Sequence, residues 1–257
     1  MAPYAKLCTE FYDIDKPAAP PEALAFYLEH ARRARGPILE PMCGSGRFLL
    51  PMLAEGLDVE GVDVSRDMLS ACRARAASLG LQPTLHEHSV AELRLARRFG
   101  FVFVPAGSFC LLTDPEVVRA SLRRIHDSML GGGRFLVEVE RAVARESTQS
   151  DTWGGRWVEH ADGAKIILSW LGQYSATEAI SRSVHRYELV QNGRLLETEF
   201  EDFELKFYEP AEFRRELELA GFSAIELWRP YAPEPPEESD EAIVFSCVKP
   251  GGGGSAG

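Results

Sequence analysis

The run ILEPMCGSGRFLLPMLAEG, residues 38–56, limits the possible fold more than any other part of the 257-residue chain. A short apolar segment reaches Glu40, the small residues Cys43-Gly44-Ser45-Gly46 follow, and a helical pattern runs from Arg47 to Gly56. Strand, tight turn and helix in that order begin a parallel sheet. The same rhythm recurs downstream. DVEGVDVS reads as a strand ending in Asp63, and Ser65 is a natural N-cap for the helix RDMLSACRARAASLG. A strand PTLHEH, a polar helical segment around AELRLARR and the apolar run FVFVPA come next. Asp114-Pro115-Glu116 then opens a helix with cap, proline and acid in their favoured places, and RFLVEVE is the fifth strand.

Five strands separated by helices predict an α/β fold, a doubly wound, mostly parallel sheet covered on both faces. After Glu140 the pattern changes to long strand-like runs, two of them joined by Gln191-Asn192-Gly193, a strong hairpin signal. These predict an antiparallel β insert of three or four strands. A helix EPAEFRRELELAG and the strands SAIELWRPY and AIVFSCVK then return to the main sheet as an antiparallel closing pair. The expected division is a leader with a cap helix (1–36), a core (37–140), the insert (141–208), the closing elements (209–250) and a glycine-rich tail (251–257). No internal repeat interrupts this order.

Composition narrows the function. Apolar residues form 45% and charged residues 26% of the chain, as in ordinary globular proteins. Acidic residues outnumber basic ones, 39 to 28, for a formal net charge of −11, which repels nucleic acid and anionic lipid. A small-molecule partner is expected, with neither nucleic acid nor membrane. Five scattered cysteines without C-x-x-C spacing predict a reducing compartment, and the absence of a signal-peptide layout predicts a cytoplasmic protein. His86 and His88 share one strand face but lack a third ligand, so no metal site is expected.

The glycine turn lies where open parallel sheets bind ligands, beyond the strands' carboxyl ends. No G-x-x-x-x-G-K-[ST] string occurs, and Leu49 stands where a dinucleotide fingerprint needs its third glycine. Asp63, at the end of the second strand, can accept both hydroxyls of a ribose, Met68 can lie against a base, and Glu40 can face an amine. Ribose, base and amino group without a diphosphate describe S-adenosylmethionine.

On these residues the segment 38–69 resembles the first half of class I S-adenosylmethionine-dependent methyltransferases, whose usual form is an apolar run, an acid and C-G-[ST]-G. The resemblance implies a Rossmann-like fold and S-adenosylhomocysteine as product. It implies that Gly44, Ser45 and Gly46 pack against the methionyl part, with Glu40 supporting that loop. Asp63 would bind the ribose, and Met68 and Val64 the adenine. Ser89 stands where the family commonly has Asp, and the Val90 amide would serve the adenine ring. Pro105 and Ala106 would lie beside the cofactor.

VPAGSF replaces the [DNS]-P-P-[YFW] motif of nucleic-acid amino methyltransferases. Leader and insert resemble small-molecule enzymes such as glycine N-methyltransferase-like and amino-sugar N-methyltransferases. The implied reaction is direct displacement onto nitrogen or oxygen of a small acceptor, by a monomer or homodimer. The alternatives are a protein or RNA methyltransferase of the same fold, or a non-catalytic binding module. Tyr12 and Glu138 are the candidate catalytic residues, the former otherwise a packed aromatic and the latter a solvated strand-end acid. Arg47, Ser108 and Phe109 are candidates for holding the acceptor. His160 and His185 could supply a general base but read rather as satisfied or exposed histidines, and Trp153, Trp157 and Trp170 could wall an aromatic acceptor pocket but read rather as core.

Overall fold

The computed structural model describes residues 4–143, 148–149 and 151–251. The chain opens with helices α1 (Lys6–Asp15) and α2 (Pro21–Arg32). Strand β1 (Ile38–Pro41), helix α3 (Leu49–Ala54), β2 (Val59–Asp63), α4 (Arg66–Ser78), β3 (Thr84–Glu87), β4 (Phe99–Val104), α5 (Pro115–Ser128) and β5 (Met129–Glu140) complete the alternating region. Strands β6 (Thr148–Gln149), β7 (Gly154–Glu159), β8 (Lys165–Ser175), β9 (Ile180–Gln191) and β10 (Arg194–Lys206) form a second sheet. Helix α6 (Pro210–Leu219) and strands β11 (Ser223–Trp228) and β12 (Ala242–Val248) end the fold.

The main sheet has the order β11-β12-β5-β4-β1-β2-β3. Only β12 runs against the others, pairing antiparallel with both β5 and β11. The order reverses between β1 and β4, so their carboxyl ends, at Pro41 and Val104, flank the crevice where such sheets bind ligands. Strand β4 is buried along its whole length, as a strand covered on both faces must be. One face packs Phe101 and Phe103 against Tyr27 and the α2–α4 layer; the other packs Phe99, Phe109 and Phe135 with α5 and α6. Each fully buried phenylalanine contributes about 2–3 kcal/mol.

Local chemistry explains the boundaries. Asp114 caps α5, its Oδ1 accepting the Glu116 N–H at 2.8 Å, and Ser65 caps α4 through the Met68 N–H at 3.1 Å. Asn192 and Gly193 both hold positive φ, 52° and 72°, the conformation a two-residue hairpin requires between β9 and β10. β6 and β7 pair with successive parts of β8 while β9 takes its other edge, so the insert of five strands is four strands wide.

Four expectations change in detail. The leader holds a helix, α1, that the sequence pattern did not reveal. The segment around AELRLARR holds one 3-10 turn, Val90–Glu92, in place of a helix, and its Arg97 pairs with Asp58 and Glu60. The helix after the glycine loop begins at Leu49 rather than Arg47, and β5 begins at Met129, ahead of the glycines expected to precede it. Residues 252–257 of the tail lie outside the described residues. All five cysteines are free thiols and buried. Among the described residues no helix is long and apolar enough to cross a membrane.

Candidate active site

At the carboxyl end of β1 and β2 the backbone folds around the Asp63 carboxylate. Its Oδ2 accepts the Gly44 N–H and its Oδ1 the Ser65 N–H, both at 2.8 Å. Burial raises its proton affinity while these amides, with that of Val64, lower it. Three amides leave the carboxylate with acceptor capacity for a further donor. Gly44 adopts φ +52°, and a Cβ there would come within 3.7 Å of Met68 Sδ. Gly46 is glycine for packing: at φ +81°, a Cβ would lie 2.6 Å from Cys72 Sγ.

These groups wall a cavity of about 100 Å³. Gly44, Asp63, Val64 and Met68 line one side, Ser89 and Val90 another, and Ser108 a third. Sequence reasoning missed Tyr4, Met42, His88, Leu111 and Leu112, which complete it. Tyr12 lines it from α1 and meets the Tyr4 ring edge-on at 5.7 Å. Met42 had a signal in retrospect, its place between an acid-ended strand and a glycine turn; Tyr4 had none.

Other expected residues stand behind this wall. Glu40 is 2% exposed, takes a hydrogen bond from the Leu49 N–H, and has one oxygen, Oε2, without a partner. Burial pushes its carboxyl well above the usual range against the pull of Arg47. Arg47 is buried too, its guanidinium 5.2 Å from the Tyr12 ring centre and bonded to the Ala18 carbonyl, so it supports the leader. Ser45 is buried beside Arg75. Pro105 and Ala106 turn the chain after β4 without lining the cavity, Ala106 at φ +55°.

Two expectations are corrected. Phe109 does not face an acceptor; it is fully buried with its ring 5.5 Å from that of Phe213, because its 3-10 turn points it into the core. Glu138 is not the exposed end of β5, which continues to Glu140. It is buried, held by the Ala106 N–H and the hydroxyls of Tyr27 and Tyr231, and burial raises its carboxyl to about 7.

Glu140 instead ends the strand beside Gly107, where a Cβ would approach its Oε1 to 2.9 Å. It opens a cleft of about 710 Å³ along the inner face of the insert. Arg156, Trp170, Tyr174, His185, Phe203 and Phe207 are among the lining residues. His185 stacks on Phe203 at 4.9 Å, and its Nε2 meets Ser183 Oγ at 2.9 Å. The three tryptophans are not core: Trp153 and Trp157 are exposed, and Trp170 alone takes the other expected place, in the wall of the cleft. His160 sits 3.8 Å from Glu10, and His86 meets Glu60 at 2.8 Å. A larger groove, about 790 Å³, lies between α2 and the amino ends of β4 and β5, at the opposite end of the sheet from the crevice.

Comparison with known proteins bears on the domain and the fold. Residues 38–133 match the family model described as a methyltransferase domain. A Geobacillus protein named as a methyltransferase is 22% identical over 222 residues, 86% of this chain and 87% of that one. A Streptomyces venezuelae dTDP-3-amino-3,4,6-trideoxy-alpha-D-glucopyranose N,N-dimethyltransferase is 30% identical over 129 residues, half of this chain and 52% of its own length. The crystal structure of an S-adenosylmethionine-dependent methyltransferase from Clostridium acetobutylicum superposes with a TM-score of 0.75 at 16% identity, covering 94% of this chain and 97% of that one, a likeness of fold.

Proposed function

We propose that the chain is an S-adenosylmethionine-dependent methyltransferase whose acceptor is a small molecule bearing a nucleophilic nitrogen or oxygen; the match to a methyltransferase domain and the likeness of fold support this reading. The observation that carries this reading is the aromatic-walled cleft that ends on Glu140, beside the turn bearing Ser108. A concave site with a few polar groups suits a compact acceptor.

The cavity residues fit the cofactor. Asp63 keeps acceptor capacity for a ribose hydroxyl, and the partnerless Glu40 oxygen is a buried acceptor suited to an ammonium group. Met68 and Val64 would hold the adenine, with Ser89 and the Val90 amide at its polar edge, and Gly44 would lie against the methionyl part. Ser45, Gly46, Pro105 and Ala106 would shape the two loops around it. When bound, S-adenosylmethionine supplies an electrophilic methyl group on a positively charged sulfur.

The chain's own work is alignment and the exclusion of water. Tyr12, held by the Arg47 guanidinium, lines the cavity and would orient the reacting groups. Glu140 would receive the acceptor's amine or hydroxyl, and Ser108 would contact it from the opposite loop. Glu138, tied to the Ala106 amide, would keep the loop after β4 in place. No group outside this set is required, because in-line methyl transfer to a neutral amine needs only a partner for the departing proton.

The test begins with calorimetric titration of S-adenosylmethionine, S-adenosylhomocysteine and NAD. Both sulfur compounds should bind and NAD should not. Release of S-adenosylhomocysteine is then followed across a panel of amines, phenols and hydroxyl compounds, with protein and RNA in parallel. Turnover on small acceptors, with a raised KM in Trp170→Ala, supports the reading; turnover on protein or RNA alone overturns it.

A further inference from the structure

Helix α1, which carries Tyr12, does not cap itself. Ala5 stands at its N-cap position with no side-chain bond to the first turn, and that turn contains no acid. The missing partner comes from the insert. Both oxygens of Glu199 on β10 accept backbone N–H groups of α1, those of Leu7 and Cys8, each at 3.0 Å. A carboxylate at a helix N-terminus satisfies orphan donors and meets the positive end of the helix dipole. The neighbouring acids on the same face of β10 act on the same segment: Glu197 pairs with Lys6 at 2.8 Å, and Glu201 accepts the Tyr4 N–H.

The segment is also tied on its other side, at the cavity. The Tyr4 carbonyl accepts the Ser65 hydroxyl at 2.7 Å. Ser65 in turn accepts the Met68 N–H and donates its own N–H to Asp63. Tyr4 and Tyr12, both lining the cavity, are thereby suspended between the insert sheet and the cofactor loop.

We propose that Glu199 is a positioning residue for the cofactor site, latching α1 so that Tyr4 and Tyr12 wall the cavity and so that exchange of its occupant waits on release of this contact. The inference rests on the reading of that cavity as the S-adenosylmethionine site. It places control of cofactor exchange on the sheet that also forms the acceptor cleft.

Surface plasmon resonance with immobilised protein and S-adenosylhomocysteine tests it without an acceptor. In Glu199→Ala the association and dissociation rates should both rise roughly tenfold, the scale of one charged helix cap, while the Kd moves far less. Hydrogen exchange at the amides of α1 should quicken while that of β4 stays slow. Glu188→Ala, removing an ion pair between Glu188 and Arg186 elsewhere on the insert, should leave both rates unchanged. Unchanged rates in Glu199→Ala, or a faster dissociation alone with affinity lost in proportion, would overturn the latch while leaving the cofactor site standing. Failure of the wild-type protein to bind S-adenosylhomocysteine would instead remove the cofactor reading, and the latch with it.

Discussion

Asp63 holds its loops together and, in the proposed reading, would also bind a ribose, so its replacement should have two effects. Asp63→Ala should weaken S-adenosylhomocysteine binding by roughly 2–4 kcal/mol, about thirtyfold to a thousandfold, measured calorimetrically. Freeing the Gly44 and Ser65 N–H groups should lower the thermal midpoint as well. Glu138 gives a pH signature. Its carboxyl is raised from 4.5 to about 7, so the folded protein holds a proton that the unfolded chain releases above 4.5. This contribution is fully present below pH 4.5 and is lost as pH rises through 7. Glu138→Gln removes it, so the mutant should gain stability relative to wild type between pH 5 and pH 8, by on the order of 3 kcal/mol in denaturant titrations. At this scale the grouping of residues was legible where side-chain chemistry and backbone turn coincide, as at Gly44, Asp63 and Met68, which line one cavity. The sequence was misleading at Glu138 and Phe109, since a strand's exact end and a turn's direction depend on packing from α2 and α6.

Elements differ in how much each depends on single positions. Asp114 caps α5 through one amide, and Asp114→Ala should cost about 1 kcal/mol by thermal or chemical denaturation. Gly46→Ala should cost several times more, roughly 2–4 kcal/mol, because the added methyl meets Cys72 Sγ at 2.6 Å and the backbone is left-handed there. A Gly46→Ala midpoint within a degree of wild type would mean that α3 and α4 can separate at little cost. Strand and helix order along β1–β5 was readable because alternation, caps and glycine turns agreed with one another. Helix α1 was not, because its cap lies on β10, nearly two hundred residues away. Nor was the cleft, since the side chains facing it from β8, β9 and β10 are assembled only by sheet register.

At the scale of the whole molecule, one short helix, α1, lies between the insert sheet and α4, and the five buried thiols sample the structure at different depths. Cys43 and Cys72 lie beneath the glycine loop, Cys110 and Cys247 within the α5–α6 layer, and Cys8 between α1 and the insert, bonded to Tyr187 at 3.2 Å. Burial pushes every one of these thiols upward, which slows reaction with alkylating reagents until its surroundings open. The cysteines thus serve as native timers. Under iodoacetamide, mass spectrometry should find Cys8 modified first and Cys110 and Cys247 only at the rate of global unfolding. A protein that needed no disulfide to hold its shape carries, for that reason, a label at each depth from which the order of its opening can be read.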